Sequence, residues 1–220
     1  MKTRAGLMFD LIKQRSDPAE IIVKLALLNA LKGCQTVLDI GCGASPNMRQ
    51  LGVPRVIGIE GYAPSVELAR QRKTHDEIIQ GDVRNLNQYF RPKQFDACVA
   101  IDVIEHLPKS DGLQLIKDME RIADKKVVFF TPSGFVPQRH TANDDLQEHL
   151  SGWEPDEMRQ YGYQVIGLLG PKALRGEYQV IKRRPVFFWG AVSLGGHFLW
   201  TRRRPEKAAA ILCVKNLASR

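Results

Sequence analysis

The feature that most restricts the fold of this chain is a short apolar strand that runs directly into a glycine turn. Residues 37–43 read Val-Leu-Asp-Ile-Gly-Cys-Gly, and a helical pattern follows them. Glycines at such a turn let the backbone approach a ligand closely at the end of a buried strand. Taken alone, the pattern also fits an ordinary tight turn, so its meaning depends on the strands that follow.

Two further strands lead into carboxylates. Glu60 closes the second apolar run, 21 residues after Asp39, and Asp82 follows the run 78–80. An acidic residue at the tip of the second strand can accept hydrogen bonds from both hydroxyls of a ribose. Asp82 can accept one from an adenine amine, and Val83 can pack on the ring. Because ligands of open parallel sheets bind at the carboxyl ends of the strands, the three carboxylates together indicate an adenosine site.

The glycine turn also distinguishes between classes of nucleotide. Dinucleotide sites usually carry a third glycine and place a helix N-terminus on the pyrophosphate. Here the turn continues as Ala44-Ser45-Pro46, and proline has no N–H to donate. Glu60 would also repel a phosphorylated ribose 2′ position. The pattern therefore favours a nucleoside without a pyrophosphate and disfavours NADP.

From residue 36 onward, short apolar runs alternate with helical patterns, which is typical of a parallel sheet covered by helices on both faces. We expect strands at 36–40, 55–60, 77–80, 97–101, 126–130, 163–168 and 209–214. We expect helices at 17–32, where Asp17, Pro18 and Glu20 are typical of a helix start, and at 46–51, 63–72, 110–123 and 154–161. The length predicts one α/β domain over 35–220 with an insertion at 171–204, preceded by a helical segment over 1–34.

The net charge of +8 is concentrated in one segment. Residues 171–204 contain eight basic side chains and one acidic side chain, so the charge belongs to a local surface. The four cysteines form neither a Cys-x-x-Cys pair nor a zinc pattern, which indicates a reducing compartment. Charged residues interrupt the apolar positions of the N-terminus, so we predict no signal peptide and expect a cytoplasmic location.

A longer motif completes the pattern. Residues 95–107 read Phe-Asp-Ala-Cys-Val-Ala-Ile-Asp-Val-Ile-Glu-His-Leu. Together with residues 37–43 and the Gly81-Asp82 pair, this stretch resembles the class I S-adenosylmethionine-dependent methyltransferases, specifically the small-molecule type 11/12. The resemblance extends from about residue 35 to 168 and returns in the last strand. It implies a Rossmann-like seven-stranded sheet of order 3-2-1-4-5-7-6, with the seventh strand antiparallel and helices on both faces.

The resemblance also implies S-adenosylmethionine as the cofactor and assigns residues to its parts. The methionine end would be held by Asp39 and the turn of Gly41, Cys42 and Gly43, the ribose by Glu60 and Gly61, the adenine by Asp82 and Val83, and the methyl-donor pocket would be lined by Asp102.

Methyl transfer from a sulfonium is an in-line displacement, in which positioning alone supplies ~7–11 kcal/mol. A hydroxyl acceptor also benefits from a general base, for which histidine is suited. The candidates are His106, after the fourth strand, His140, in a long loop, and His149, before a helix. Each also fits a structural role, and many relatives need no base. His75 is expected at the surface. Asp102, Glu105 and His106 could supply metal ligands, but their spacing does not establish a site, and we predict no metal.

The acceptor is predicted to be a small molecule, methylated on oxygen, such as a sugar or a lipid-linked substrate. Amine methyltransferases of nucleic acids carry a Pro-Pro signature after the fourth strand, where this chain has Ile101-Asp102-Val103-Ile104. That difference disfavours nucleic acid. The alternative is an RNA methyltransferase that uses the basic segment 171–204.

The distinctive part of the chain is the segment 182–204, in which basic clusters flank an apolar, aromatic run of 15 residues, 186–200. This run is shorter than the ~20 residues that span a bilayer. It fits a helical hairpin that covers the acceptor pocket or forms a dimer contact. It also fits a peripheral contact with a membrane surface. We expect a monomer or a homodimer.

Overall fold

The computed structural model describes residues 18–45, 47–138, 148–176 and 179–217. They include one seven-stranded sheet of order β3-β2-β1-β4-β5-β7-β6. Its strands are β1 Thr36–Ile40, β2 Arg55–Glu60, β3 Glu77–Gln80, β4 Phe95–Ile101, β5 Ala123–Pro132, β6 Gln164–Pro171 and β7 Ala208–Asn216. The α-helices are α1 Pro18–Ala30, α2 Asn47–Gln50, α3 Ala63–Arg72, α4 Lys109–Ile122, α5 Pro155–Gln160 and α6 Val186–Gly196. A π-helical turn, His197–Thr201, continues α6, and short 3₁₀ turns occur at Val83–Gln88, Ile104–His106, Lys172–Leu174 and Pro205–Lys207.

The chain forms two compact units, of which the first contains residues 18–101, 113–128 and 216–217. In it, β1 pairs in parallel with both β2 and β4, and β2 pairs in parallel with β3. Leu38 of β1 lies opposite Ile57 on one side and Cys98 on the other. The strands are apolar on both faces because both faces are covered. The parallel register brings the carboxyl ends of β1, β2 and β3 to the same edge of the sheet.

The second unit contains residues 102–112, 129–176 and 179–215. Here β6 and β7 pair antiparallel, with a register shift between Leu168 and Pro171. Glycines of β6 allow α6 and its π-helical turn to pack closely. A Cβ on Gly167 would lie 2.1 Å from the Thr201 carbonyl oxygen, and one on Gly170 would lie 2.1 Å from that of Ser193.

The predicted sheet order and the antiparallel last strand are confirmed. The bounds of β1, β2, β3 and α3 agree with the sequence prediction to the residue. The prediction for β5 was too short, because buried residues continue to Pro132 beyond the apolar run. The proposed N-cap Asp17 lies outside the described residues.

Candidate active site

The glycine turn after β1 is held against the end of β2. The N–H groups of Gly41 and Cys42 both donate to the carbonyl oxygen of Ile59, at 2.8 and 3.2 Å. Gly41 and Gly43 adopt φ angles of 62° and 52°, the left-handed region that favours glycine. The buried Cys42 side chain packs on Gly58, where a Cβ would lie 2.6 Å from its Sγ.

Glu60 lies at the end of β2 and is anchored beside this turn. Its Oε2 accepts a hydrogen bond from the N–H of Gly43 at 2.9 Å, and its Oε1 accepts one from the N–H of Tyr62 at 2.8 Å. Each bond uses one of the roughly four lone-pair directions of the carboxylate. The remaining directions suit two neighbouring hydroxyl donors, which is the arrangement that a ribose requires. Gly61, predicted to assist, is exposed directly after Glu60.

Asp39 is buried and paired with His75, which sequence analysis placed at the surface. That placement was wrong: His75 is 6% exposed, and its Nε2 lies 3.0 Å from Asp39 Oδ2. On the other side of the ring, Nδ1 lies 2.8 Å from the Thr74 hydroxyl oxygen. Burial raises the pKa of Asp39 above its ordinary value, and the hydrogen bond from His75 opposes that rise. The contact with His75 thus fixes the orientation of the Asp39 carboxyl, two residues before the glycine turn.

Asp82 begins the 3₁₀ turn Val83–Gln88 by accepting a hydrogen bond from the N–H of Arg84 at 2.9 Å. The Arg84 guanidinium also donates to both of its carboxylate oxygens. These bonds lower the pKa of Asp82. An adenine amine would therefore share the Asp82 oxygens with Arg84. Val83 follows Asp82 and is half-buried.

A second group of polar side chains follows β4, inside the second unit. Asp102 has a φ of 51°, and its N–H donates to the carbonyl oxygen of Phe130 at 2.9 Å. Aspartate tolerates this left-handed conformation better than most residues. Glu105 is 2% exposed, and its Oε2 accepts a hydrogen bond from the Thr131 hydroxyl at 3.0 Å. The carboxyls of Asp102 and Glu105 are thus held on one short turn.

Two of the three candidate histidines meet at this turn. The rings of His106 and His149 have centroids 4.8 Å apart in an edge-to-face arrangement. The segment that carries His149 is tied to the turn, because the N–H groups of Leu150 and Ser151 donate to the Glu105 carbonyl oxygen at 2.8 and 3.0 Å. His140, the third candidate, lies outside the described residues.

Trp153 also holds the segment that carries His149 in place. It is fully buried, and its Nε1 donates to the carbonyl oxygen of Ile104 at 3.3 Å and to the Ser151 hydroxyl at 3.0 Å. The Lys109 ammonium lies 3.5 Å from the centre of its ring. The positions of His106 and His149 therefore depend on a packed support rather than on an isolated loop.

Burial dominates the electrostatics of the turn. Desolvation raises the pKa of Asp102 to about 7, and a hydrogen bond with the Glu105 carboxyl opposes the rise. Desolvation also raises the pKa of Glu105 well above its ordinary value, and the charge of Asp102 adds to the rise. Such carboxyls are typical of functional sites.

Two cavities of the second unit adjoin this group. The smaller, of about 260 Å³, is lined by Asp102, Glu105, His106, Pro132, Val136, Gln138, His149 and Gln179. The larger, of about 740 Å³, shares Val136 with it and includes the cationic side chains of Lys172, Arg175 and Lys182, with Glu154 as its carboxylate. The smaller cavity, lined by carboxyl and imidazole groups, thus adjoins a larger cavity lined mainly by cationic side chains.

The sheet order is the one that the family resemblance predicts, and solved methyltransferases share the fold. One is an S-adenosylmethionine-dependent methyltransferase from Archaeoglobus fulgidus, with a TM-score of 0.59 and 16% identity, covering 95% of this chain and 99% of that chain. Another is the plantazolicin methyltransferase BamL, solved with SAH, with a TM-score of 0.56 and 14% identity, covering 98% of this chain and 91% of that chain. At these identities the likeness establishes the fold.

A family of methyltransferase domains matches part of the sequence. Residues 38–131, less than half of the chain, match the methyltransferase domain family, type 11, which is consistent with a class I methyltransferase of that type. The match supports S-adenosylmethionine as its cofactor and methyl transfer as its activity. A probable tRNA methyltransferase 9B from Bos taurus is 37% identical over 87 residues, which is 39% of this chain and 18% of that relative. The chain therefore matches about a fifth of the length of the curated relatives.

Sequence reasoning missed the residues that position the site. Thr131, Ser151 and Trp153 carry no motif, and their roles depend on contacts between distant parts of the chain. His75 follows an exposed helix and precedes Asp76 and Glu77, so its polar neighbours suggested a surface position. One signal was available, since Gly58 interrupts an apolar strand, and such a glycine often marks a close approach.

Proposed function

We propose that this protein transfers the methyl group of S-adenosylmethionine to a hydroxyl oxygen of a small-molecule acceptor. The observation that carries the proposal is the group of Glu105, His106 and His149 at the 260 Å³ cavity. This group begins four residues after the end of β4, in the motif that the family resemblance assigns to the methyl-donor side. We further propose Asp39, Gly41, Cys42, Gly43, Glu60, Gly61, Asp82, Val83 and Asp102 as its cofactor-binding residues.

The reaction needs a proton acceptor as well as alignment. The acceptor oxygen forms a bond to the methyl carbon, the carbon–sulfur bond breaks, and its electron pair stays on sulfur. The hydroxyl proton must leave to a base. His106 Nδ1 lies 3.0 Å from the carbonyl oxygen of Glu148, and His149 Nδ1 lies 2.6 Å from that of Val136. A carbonyl oxygen only accepts, so each Nδ1 carries the proton and each Nε2 has a lone pair that suits a base.

The cavities indicate the kind of acceptor. A volume of 260 Å³ lies near the lower limit of ligand sites, ~300 Å³, so it suits one sugar-sized group. The neighbouring cationic cavity suits an anionic remainder, such as a phosphate. We therefore propose a sugar with an attached phosphate or a lipid-linked phosphate as the substrate class.

Isotope transfer tests this proposal. The purified protein and methyl-labelled S-adenosylmethionine are incubated with an extract from a strain that lacks the gene, and labelled products are identified by mass spectrometry. His106→Ala and His149→Ala should each lower transfer by about 10²–10⁴-fold while cofactor affinity stays within about threefold. Glu206→Gln, an exposed control, should be unaffected. Full activity in the His106→Ala/His149→Ala double variant would contradict the assignment.

We also propose that the segment 182–204 contacts an anionic membrane surface. Its helix has an unusual orientation, because polar residues face the protein. Ser193, His197 and Thr201, spaced four residues apart, are buried against β6. By contrast, Phe187 is 81% exposed and Leu199 is 89% exposed. A lid or a packed hairpin would bury these apolar side chains within the chain.

The charges beside this face support a lipid surface. Lys182, Arg183 and Arg184 precede α6, Arg202, Arg203 and Arg204 follow its π-helical turn, and all six are exposed. Exposed aromatic side chains flanked by cations are typical of segments that lie in a membrane interface. None of the described helices is long and apolar enough to cross a membrane.

Vesicle binding tests the surface. Each basic residue near an anionic bilayer is worth ~1 kcal/mol, so replacing Arg202, Arg203 and Arg204 by glutamine should weaken binding by up to about a hundredfold. Leu199→Ser should also weaken it, with less dependence on salt, whereas Leu68→Ser, an exposed change in the first unit, should not. Equal sedimentation of all variants with phosphatidylserine vesicles would contradict the proposal.

RNA is the second candidate acceptor, and the name of the matching relative, a probable tRNA methyltransferase 9B, favours it. RNA binding would weaken steeply as salt rises, because phosphate contacts release counterions, and replacing the six flanking cations would reduce that salt dependence. It would not depend on Leu199. Methyl label recovered in RNA rather than in small molecules would replace the leading proposal.

A further inference from the structure

The group at the smaller cavity has the composition of a metal site. One ligand atom each from Glu105, His106 and His149 can be chosen so that all three lie within 4.8 Å of one another. Ligands of a tetrahedral ion lie about 3.3–3.6 Å apart, since each bond is about 2.0–2.2 Å long. The three ligand atoms would therefore need to approach one another by about 1–1.5 Å for an ion to bind.

Both histidines are oriented as metal ligands usually are. Each donates its Nδ1–H to a backbone carbonyl oxygen, that of Glu148 for His106 and that of Val136 for His149. A hydrogen bond of this kind fixes the tautomer and the ring orientation, and it places the lone pair of the ring on Nε2.

The third ligand is a buried carboxyl oxygen. Glu105 Oε2 accepts from Thr131, Glu105 also shares a hydrogen bond with the Asp102 carboxyl, and within the part of the chain that the structure describes Glu105 Oε1 meets no N–H or hydroxyl donor. The residue is 2% exposed, so its carboxyl has lost its water. A bound cation would compensate for that loss. Asp102 lines the same cavity and adds a second carboxylate to the surroundings.

We propose that Glu105, His106 and His149 bind one divalent transition-metal ion, of the Mn²⁺ to Zn²⁺ series, in preference to Mg²⁺. Imidazole nitrogen favours the transition metals, whereas Mg²⁺ prefers oxygen ligands and keeps its water. The inference deepens the proposed function and rests on it for its role. The ion would lower the pKa of the acceptor hydroxyl, whose proton would leave to water, because the Nε2 lone pairs of both histidines would then be bound to the ion. Without an ion, the histidines would act as bases themselves.

Calorimetry on the chelator-treated protein tests the site with Mn²⁺ alone. We expect one ion per chain and weaker binding of Mg²⁺. Glu105→Gln keeps the shape of the side chain and should weaken Mn²⁺ binding by about tenfold or more. Glu206→Gln removes an exposed carboxylate from the same unit and should leave binding unchanged. Loss of binding in both variants, or in neither, would overturn the proposal.

Side-chain NMR locates the ion independently of activity. Substoichiometric Mn²⁺ should broaden the imidazole signals of His106 and His149 before that of His197, which is buried against β6. Uniform broadening, or no saturable binding, would exclude the site. Methyl transfer that persists in the presence of chelator would then leave the proposed function intact, with histidine as the base. Absence of methyl transfer from the wild type as well as from every variant would count against the proposed function itself.

Discussion

Replacing Gly112 by alanine should disturb the packing that holds His149 in place. A Cβ at this position of α4 would lie 2.4 Å from Trp153 Cζ2 and 3.2 Å from Ile104 Cγ1. The Trp153 ring is fully buried and its Nε1 is hydrogen bonded, so it cannot move aside freely. Overpacking costs ~1–3 kcal/mol, and a contact this short places the cost near the upper end. The gain in helix propensity returns ~1 kcal/mol, so the net loss should be about 1–2 kcal/mol.

The same substitution has a matched control in α6. A Cβ on Gly190 would meet no atom within 4 Å, so Gly190→Ala should stabilise the protein by ~0.5–1 kcal/mol. For a chain of this length, 1 kcal/mol shifts the melting temperature by ~2–4 °C, so the two variants should differ by roughly 3–12 °C. Thermal unfolding followed by near-UV circular dichroism measures the difference. Gly112→Ala melting at or above the wild type would refute the packing argument.

Two further substitutions test the first unit. Glu60→Gln should weaken S-adenosylhomocysteine binding by ~1.5–3 kcal/mol, since it removes a charged acceptor of hydroxyl hydrogen bonds, and Glu67→Gln, on the exposed face of α3, is the control in calorimetry. Asp76→Asn should lower the melting temperature at pH 7, because Asp76 Oδ2 accepts the N–H of Val56 at 2.7 Å and Oδ1 pairs with Arg49. These bonds lower the pKa of Asp76, the hydrogen bond from Val56 most of all. The stabilisation is therefore present above an ordinary aspartate pKa of ~3.9 and is lost as the pH falls through the lower folded value. A difference between variant and wild type that persists unchanged at pH 2 would contradict this account.

The sheet could be predicted from the sequence because its signals are local. Apolar runs such as 37–40 and 56–59 give the strands, and the motif resemblance gives their order. The insertion was harder, because an apolar run predicts burial. In α6 the small and polar Ser193 faces the protein while Phe187 faces solvent. The polar face of α6 can pack against β6 because the glycines of that strand leave room for it.

The candidate site was predictable in its parts but not in its assembly. His106 and His149 were both candidates, yet 43 positions separate them in the chain. Their meeting depends on backbone hydrogen bonds from Leu150 and Ser151 to Glu105, and backbone groups carry no sequence signal. The tautomers of the two histidines could not be predicted either, because hydrogen bonds to the backbone carbonyl oxygens of Glu148 and Val136 set them.

We propose that the glycine turn and Glu60 bind the adenosine and methionine parts of S-adenosylmethionine. Isothermal titration calorimetry of the wild-type chain with S-adenosylhomocysteine and, separately, with NAD tests it most directly. We expect one S-adenosylhomocysteine per chain, bound more tightly than NAD, because the turn lacks the third glycine of dinucleotide sites. Tighter binding of NAD, or no saturable binding of S-adenosylhomocysteine, would contradict it.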